Sequence, residues 1–296
     1  MNQSLDLTLV IPAFNEEKNL ITFLPDVIQF CQENDFQLII VNDASTDDSA
    51  RILADFERIH PKLQVITHKV NRGYGGALIS GLSAVYSEYA ITIDADGQHS
   101  LEDIHKLIQK LHETNADLVV GKRADQHDSL AQSYRSLGKS IIRTIARIMM
   151  PLPVTDLNSG MKLYNTALVK KYLPLCPDSM AFSDVITLIF IQQKHLVVEE
   201  PINIQPRLEG SSTINTMTAL ETVLQIINIV MLFNPLKIFL PIGIILIILG
   251  LIWALPFLVQ GSGLSTAALL LITTGMISIM LGLIAEQLAQ IRKKDY

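Results

Sequence analysis

The sequence predicts an α/β domain with a mostly parallel sheet, followed by an apolar helical hairpin. Short buried-strand patterns alternate with helical patterns between residues 7 and 120, which is typical of a parallel sheet covered by helices on both faces. Polar residues collect where the predicted strands end. Beyond Pro235 the charged residues nearly vanish, and two uncharged runs of about 22 residues follow.

The predicted strands are short runs rich in β-branched residues, at 7–11, 38–41, 63–67, 90–93 and 118–120. The predicted helices follow them at 16–32, 47–59, 73–86 and 101–112. Acidic residues in the opening turn favour the first helix, and Ser45 or Thr46 is placed to cap the second. A glycine-rich turn opens the third. This alternation brings the carboxyl ends of the strands to one edge of the sheet.

Polar side chains follow the predicted strands at that edge, where sheets of this kind bind their ligands. They are Asn15 and Glu16 after the first strand, Asp43 after the second, Asp94 and Asp96 after the fourth, and Lys122 and Arg123 after the fifth. Their coincidence predicts that the active site lies at the carboxyl edge of the sheet.

The stretch ITIDADGQHS, at residues 91–100, places Asp94, Asp96 and Gln98 at alternate positions after a predicted strand. Side chains two residues apart on an extended strand share one face. Two carboxylates that lie together repel each other unless a positive group lies between them. The stretch therefore predicts a cation, or another positive group, at this edge.

Composition and charge restrict the compartment and the partners. The chain of 296 residues is 49% hydrophobic and 18% charged, which is apolar for a wholly soluble protein. Its net charge of −6 and the absence of a basic stripe argue against a nucleic-acid partner. Cys31 and Cys176 have no metal-ligand spacing and fit a reducing compartment. The N-terminal sequence predicts no cleavable signal.

Two uncharged runs, at about 238–259 and 264–285, predict transmembrane helices. The alternative, two core helices of a soluble protein, is less favoured because core helices of this length are rarely apolar all round. The short uncharged linker at 260–263 predicts a hairpin. Lys237 precedes the first run and a basic tail at 292–294 follows the second, so the positive-inside rule places the N-terminal domain and the C-terminal tail in the cytoplasm.

Two further segments have patterns that relate to a membrane. Residues 133–150 carry basic residues four apart on one predicted helical face, at Arg135, Lys139, Arg143 and Arg147. Two interpretations stay open: a solvated face, or a face that meets anionic lipid headgroups or a lipid phosphate. Residues 217–233 are strongly apolar and predict a helix that lies at the membrane interface.

Six motifs in order resemble those of family 2 glycosyltransferases of the GT-A fold, a Rossmann-like α/β fold. Within that family the sequence is most similar to the polyprenyl-phosphate glycosyltransferases with two C-terminal transmembrane helices, such as dolichol-phosphate mannose synthases and bactoprenol glucosyltransferases. The motifs are VIPAFNEEKNL (10–20), VNDASTDDS (41–49), NRGYGGAL (71–78), IDADGQH (93–99), DLNSGMKLY (156–164) and RLEGSST (207–213).

The resemblance implies a GT-A domain at residues 1–213, an amphipathic juxtamembrane helix at 214–234 and a transmembrane hairpin with a short basic tail at 235–296. It implies a multi-pass protein of the inner, cytoplasmic membrane. By analogy with the two-span relatives, it also implies a homo-oligomer, a tetramer.

For the donor, the resemblance implies a nucleotide-sugar and a Mg²⁺ or Mn²⁺ ion that neutralises its diphosphate. Asp96 corresponds to the main metal ligand and Gln98 to a second one, while Asp94 contacts the metal, the ribose or the sugar. The nucleotide site corresponds to the following residues: Pro12, Asn15, Glu16, Asp43, Arg72 and Gly73.

For the acceptor, the resemblance implies a polyprenyl phosphate. Asp156 matches the position of a base or acceptor organiser, and Asp184 is a second carboxylate candidate. Ser159 shapes the loop against the sugar. Phosphate contacts are expected from Arg123, Arg135 and Arg207. Thr213 stands where the family often has lysine, which removes one expected cationic contact.

The predicted reaction is an inverting transfer from a nucleotide-sugar to polyprenyl phosphate, with UDP-glucose the first expectation and GDP-mannose the second. An amino-sugar donor of the N-acetylglucosamine or aminoarabinose type is an alternative. A non-catalytic membrane scaffold would have little use for the acidic residues at the sheet edge. A processive polysaccharide synthase would need more spans and a Gln-x-x-Arg-Trp motif, whereas the single tryptophan, Trp253, lies inside a predicted span.

Overall fold

The computed structural model describes residues 5–123, 153–203, 227–228, 230–261 and 263–293. These residues divide into two compact units, the first reaching residue 203 and the second starting at residue 227. The predicted domain limit at residue 213 and most of the predicted interface helix lie outside the described residues and stay predictions. The basic segment at 133–150, with Arg135, and the RLEGSST motif, with Arg207, also lie outside them.

Among the described residues, the first unit is built on a seven-stranded sheet. Its strands are β1 Leu7–Ala13, β2 Gln37–Asn42, β3 Leu63–Thr67, β4 Tyr89–Thr92, β5 Leu118–Arg123, β6 Lys162–Asn165 and β7 Val197–Ile202. Their order across the sheet is β3-β2-β1-β4-β6-β5-β7. Only the two pairings of β6 are antiparallel among these strands. The predicted mostly parallel sheet is confirmed.

Six helices connect the strands of the described part, and the first four are those that the hydrophobic periodicity predicts. They are α1 Glu17–Asn34, α2 Ser49–Ile59, α3 Gly73–Ala84, α4 Glu102–Thr114, α5 Thr166–Tyr172 and α6 Phe182–Gln192. In α1 the buried residues Leu20, Leu24, Val27 and Cys31 recur every three or four positions. This spacing places them on one helical face, as a helix that packs on a sheet requires. Every residue of β1 is buried, as expected for a strand covered on both sides.

Strand β6 is the feature of the sheet that the periodicity did not predict. It lies between β4 and β5 and pairs antiparallel with both, so that Lys162 is the partner of Thr92 on one side and of Val120 on the other. An antiparallel strand begins at the edge where its parallel neighbours end. The segment that precedes β6, residues 156–161, therefore arrives at the carboxyl edge of β4 and β5.

The second unit contains two long apolar helices, α7 Leu236–Val259 and α8 Thr266–Lys293. Both are long and apolar enough to cross a membrane by length and composition. They cross closely where each has a glycine: a Cβ on Gly243 would lie 2.8 Å from the Gly275 carbonyl oxygen, and one on Gly275 would lie 2.7 Å from that of Gly243. Small residues that let backbones approach are typical of helix pairs in membranes. The predicted hairpin is confirmed.

Candidate active site

A cavity of about 800 Å³ opens in the first unit where β1, β2, β4 and β5 end. Most of the residues predicted for the site line its wall: Pro12, Asn15, Glu16, Asp43, Gly73, Asp94, Asp96, Gln98 and Arg123. The wall also contains residues that the sequence analysis did not select, among them Tyr74, His99 and Asn158. Four predicted residues, Arg72, Asp156, Ser159 and Asp184, are not part of this lining.

Asp94 is held from two sides in the cavity wall. The Tyr74 hydroxyl donates a 2.9 Å hydrogen bond to Oδ1 of Asp94, and Nε2 of His99 lies 3.5 Å from Oδ2. Burial favours the neutral acid, but the hydrogen bond and charge of His99, with the bond from Tyr74, outweigh it and hold the pKa of Asp94 below its usual range. Asp94 is therefore a fixed carboxylate that stays ionised at neutral pH.

Asp96 and Gln98 lie on the turn that follows. Gly97 has φ +69°, a conformation that glycine adopts without strain, and the Gln98 N–H donates a 3.1 Å bond to Oδ1 of Asp96. Both side chains are partly exposed in the cavity wall. The turn thus presents a carboxylate and an amide to the same cavity.

These oxygen donors fit a divalent cation that a diphosphate helps to hold. No cluster of three or more His, Cys, Asp or Glu side chains suited to a metal occurs in the described part of the chain. A closed protein cage is not needed, because Mg²⁺ is usually bound by one or two carboxylates together with substrate phosphates and water. Nearby, Nδ1 of His99 is buried and has no hydrogen-bond partner among the described residues. This atom can therefore form a hydrogen bond with a bound group.

Asp43, also in the cavity wall, anchors the glycine-rich turn. Its Oδ1 accepts a 2.8 Å bond from the Arg72 N–H, and its Oδ2 accepts a 2.8 Å bond from the N–H of Gly73, which has φ +82°. Nδ1 of His68 lies 2.6 Å from the same carboxylate, and Nε2 of His68 lies 2.8 Å from the Ser80 hydroxyl. Arg72 thus contributes its backbone to this anchor while its side chain is exposed.

The loops after β1 and β2 are tied to each other. The Asn15 side-chain oxygen accepts a 2.8 Å bond from the Thr46 N–H, and the Glu16 N–H donates a 3.0 Å bond to the Ser49 hydroxyl. Asn15 itself has φ 55°, in the left-handed region that asparagine tolerates better than most residues. The residues after β1 that are predicted to contact the nucleotide are therefore held by hydrogen bonds to the loop after β2 and to the start of α2.

Arg123 and Asp156 form a two-pronged ion pair beside the cavity. Nε and Nη2 of Arg123 each donate a 2.8 Å bond to one oxygen of Asp156, and the Arg123 N–H adds a third contact at 3.2 Å. Burial raises the pKa of Asp156, but the hydrogen bonds and charge of Arg123 outweigh it and lower that pKa below its usual range. A carboxylate with a lowered pKa is a weak proton acceptor. Asp156 is therefore better suited to orient Arg123 than to act as a base.

Asp184 and Ser159 lie behind the cavity wall. Asp184 is buried in the first turn of α6, and burial raises its pKa to about 6. Ser159 is also buried, and its hydroxyl accepts a 3.3 Å bond from the Met161 N–H. Their predicted roles at the substrate stay predictions.

Lys162 is a buried basic residue that the sequence analysis missed. It is fully buried in β6, and burial lowers its pKa to about 7. A lysine between the apolar residues Met161 and Leu163 was the available signal, because lysine is rarely buried without a specific partner.

Comparison with known proteins adds two matches along the chain. Residues 8–173 match the sequence profile described as glycosyl transferase family 2, and residues 234–291 match the one described as the GtrB C-terminal hairpin. The first matched segment lies within the sheet unit and ends before α6 and β7, and the second covers the apolar hairpin.

Two curated relatives and one crystal structure illustrate the similarity. The dolichyl-phosphate beta-glucosyltransferase of Saccharomyces cerevisiae is 28% identical over 67% of this chain and 66% of its own length. The UDP-N-acetylglucosamine–dolichyl-phosphate N-acetylglucosaminyltransferase of Methanococcus voltae is 32% identical over 55% of this chain and 70% of its own. Glucosyl-3-phosphoglycerate synthase of Mycobacterium tuberculosis, crystallised with Mg²⁺ and UDP, superimposes with a TM-score of 0.56 at 17% identity, covering 75% of this chain and 78% of that one.

Proposed function

This chain belongs to glycosyl transferase family 2, and we propose that it transfers a sugar from a nucleoside diphosphate to a polyprenyl phosphate, with inversion at the anomeric carbon. The observation that carries the proposal is the cavity, whose wall unites the acidic turn at Asp94 and Asp96 with the guanidinium of Arg123. A donor diphosphate and an acceptor phosphate are both anions. For the donor diphosphate, the site offers oxygen ligands that can hold a cation. For the acceptor phosphate, it offers the N–H groups of the Arg123 guanidinium.

On the donor side, Asp96 and Gln98 would hold Mg²⁺ or Mn²⁺. When bound, the cation neutralises the diphosphate and so makes it a better leaving group. Asp94 has a different role, since Tyr74 and His99 fix its carboxylate as an acceptor for hydroxyl groups of the ribose or the sugar. The structural neighbour crystallised with Mg²⁺ and UDP supports a divalent ion and a uridine nucleotide.

On the acceptor side, Arg123 would bind the lipid phosphate. The ion pair with Asp156 uses part of the guanidinium donors, and the remaining N–H groups can face an anion in the cavity. The phosphate oxygen is already anionic at neutral pH and attacks without a strong general base. Asp156 accordingly acts as the organiser of Arg123, and the sugar leaves the nucleotide as the new bond to the phosphate oxygen forms.

The acceptor class is supported by the relatives and by the hairpin. Both relatives described above carry dolichyl phosphate in their names, and the second unit matches a hairpin profile and has two helices able to cross a bilayer. A membrane anchor confines the enzyme to the surface that contains the lipid acceptor, which raises the effective concentration of that acceptor. We place the chain in the inner membrane with its catalytic unit and tail in the cytoplasm, as a homo-oligomer, a tetramer.

The donor sugar is proposed to be glucose carried on UDP, with GDP-mannose second. An amino-sugar donor is the competing candidate because the Methanococcus voltae relative is named for N-acetylglucosamine. One extra substituent in a sugar pocket changes the binding energy by only about 1–3 kcal/mol. The choice between these donor sugars therefore requires a direct measurement of transfer from each.

The test is a panel of radiolabelled nucleotide-sugars incubated with membranes that contain the chain and undecaprenyl phosphate. Label extracted into butanol from UDP-glucose alone is the expected result. Label from UDP-N-acetylglucosamine alone would show that the proposed donor is wrong and that the proposed reaction is right. No label from any donor, together with no metal-dependent binding of UDP or GDP, would instead favour a non-catalytic scaffold.

A further inference from the structure

The ammonium group of Lys162 connects the loop before β6 to the start of α6. Nζ donates a 2.7 Å hydrogen bond to the Leu157 carbonyl oxygen and a second hydrogen bond to the carbonyl oxygen of Ser183. Leu157 belongs to the loop before β6, and Ser183 to the first turn of α6. Because the side chain is fully buried, its charge is held by protein groups and not by solvent.

The loop at 156–160, which we call the β6 loop, supplies two contacts to the site. Its first residue, Asp156, forms the two-pronged pair with Arg123. Its last, Gly160, lies so close to Asp94 that a Cβ there would overlap the carboxylate. The position of this loop therefore sets the position of the group proposed for the acceptor phosphate. Asp94, which Gly160 approaches, is held separately by Tyr74 and His99.

A second charged side chain holds the residues where the β6 loop begins. One carboxylate oxygen of Glu199, in β7, accepts a 2.8 Å bond from the Asp156 N–H, and the N–H of Thr155 donates to the same oxygen. The negative group thus binds backbone N–H donors where the loop begins, while the positive group binds a carbonyl inside it. Each charged group thus binds the end of a peptide dipole that has the opposite sign.

We propose that Lys162 is a positioning residue for the sugar transfer, which fixes the β6 loop at the Leu157 carbonyl and so keeps Asp156 on Arg123. This inference rests on the proposed function for its catalytic consequence. An uncharged side chain of similar length fills the same space but leaves the Leu157 and Ser183 carbonyls without their donor. Burying an ammonium group carries a desolvation cost that an apolar core residue would avoid. The two hydrogen bonds to backbone carbonyl oxygens are a function that an apolar residue at this position could not perform.

The first test measures the loop without measuring the reaction. Hydrogen exchange followed by mass spectrometry compares the full chain in detergent with Lys162→Met, and with Lys171→Met as the matched control on an exposed lysine of α5. Lys162→Met is expected to speed exchange in peptides that cover residues 153–161 and to leave β1 and α4 unchanged, whereas Lys171→Met changes neither. Unchanged exchange at 153–161 would overturn the proposal, and so would a uniform increase across the whole unit, which signifies a purely structural lysine.

The second test measures catalysis with the donor found by the nucleotide-sugar panel. Lys162→Met is expected to lower kcat by at least about tenfold, because small displacements of reacting groups have effects of that size. The Kd for UDP in Mg²⁺ should stay within about threefold of wild type, since the braces around Asp43 are untouched. Lys162→Arg, which keeps the charge and the donors, should recover part of kcat.

The outcomes of the two tests separate this inference from the proposed function. A wild-type chain that transfers no sugar refutes the function, while the exchange measurement still decides where Lys162 acts. A Lys162→Met variant with wild-type kcat refutes the positioning role and leaves the function intact. Parallel loss of kcat and UDP affinity would also refute it, because a residue that only positions the β6 loop should spare the nucleotide.

Discussion

At the scale of single residues, the site is organised around carboxylates that have different partners. Asp94 is fixed by Tyr74 and His99, whereas Asp156 is bound to an arginine fork. Fixed, ionised groups need not reorganise when charge develops during a reaction, and such preorganisation is a major source of catalytic power. Asp96 lies on the turn that follows Asp94, in the cavity wall where a cation and a diphosphate can approach.

Replacing Asp96 with alanine should remove the residue that we propose as the main metal ligand. We expect kcat to fall by on the order of 10²-fold or more, and the Mg²⁺-dependent part of UDP binding to disappear, because the diphosphate loses its counter-charge. Calorimetric titration of UDP with and without Mg²⁺ measures the second effect. Asp55→Ala, on the exposed face of α2, is the control and should bind UDP normally. Near-normal turnover of Asp96→Ala in Mg²⁺ would exclude Asp96 from the metal site.

Replacing Tyr74 with phenylalanine deletes only the hydroxyl that donates to Asp94. A hydrogen bond to a charged group contributes about 1.5–3 kcal/mol, so kcat/KM for the nucleotide-sugar should fall about tenfold or more. Tyr86→Phe is the matched control because Tyr86 is 94% exposed. Steady-state kinetics over a range of donor concentrations measure the effect. If both variants behaved like wild type, the Tyr74 hydroxyl would have no part in holding Asp94 for the donor.

At the scale of elements, the antiparallel strand β6 determines what the site contains. A purely parallel sheet would bring only the segments after each strand to the carboxyl edge. Because β6 runs the other way, the segment before it reaches the same edge and supplies Asp156 to Arg123, a residue 33 positions earlier in the chain. The β6 loop and the end of β5 thus form one functional element.

The Arg123–Asp156 pair should give stability that depends on pH. The pKa of Asp156 is lowered in the folded chain, so its contribution is fully present above the unfolded value of about 3.9 and is lost as pH falls through the lower folded value. Asp156→Asn lacks this contribution. The difference in Tm between wild type and Asp156→Asn should therefore be large at pH 7 and shrink below about pH 4.

Thermal unfolding in detergent at about pH 7, 5, 4 and 3 measures this difference. The series spans the range of about pH 3 to 5 in which carboxylates titrate. Asp55→Asn serves as the control for an exposed carboxylate. A gap in Tm that stays constant, or that widens as the pH falls, would contradict an ionised Asp156 stabilised by Arg123.

At the scale of the whole molecule, the chain joins a nucleotide-binding type of sheet to an apolar hairpin. The residues of the cavity wall come from the first unit alone, from Pro12 to Met180. The second unit consists, in its described part, chiefly of two helices whose outward side chains are large and apolar. This division predicts that binding of the nucleotide and access to the lipid can be separated experimentally.

Removing the residues after Asn234 should leave UDP affinity in Mg²⁺ close to that of the full chain, because the cavity wall is intact. Transfer to a long-chain polyprenyl phosphate in vesicles should become much slower, since the enzyme is no longer confined to the surface that holds the acceptor. A short, water-soluble prenyl phosphate should be used by both forms at similar rates. A truncated chain that is folded but does not bind UDP would show that the units are not independent.

The sequence by itself determined the features that have a local signal. Strands β1 to β5 and the two long helices follow from hydrophobic periodicity and run length, and the acidic residues at the sheet edge follow from their places after the strands. Nine predicted site residues accordingly line one cavity. The family resemblance, read from six motifs, is confirmed for residues 8–173 and for the hairpin at 234–291.

Only the tertiary structure decided how the later motifs meet the earlier ones. The sequence analysis predicted neither β6 nor the burial of Lys162 and Asp184, because strand order and ion pairing depend on contacts between residues far apart in the chain. The same contacts decided that Asp156 meets an arginine, which lowers the pKa of Asp156 and suits this carboxylate to orient Arg123 better than to accept a proton. Periodicity reports which face of an element is buried, but the partner on that face is chosen by the packing of the whole fold.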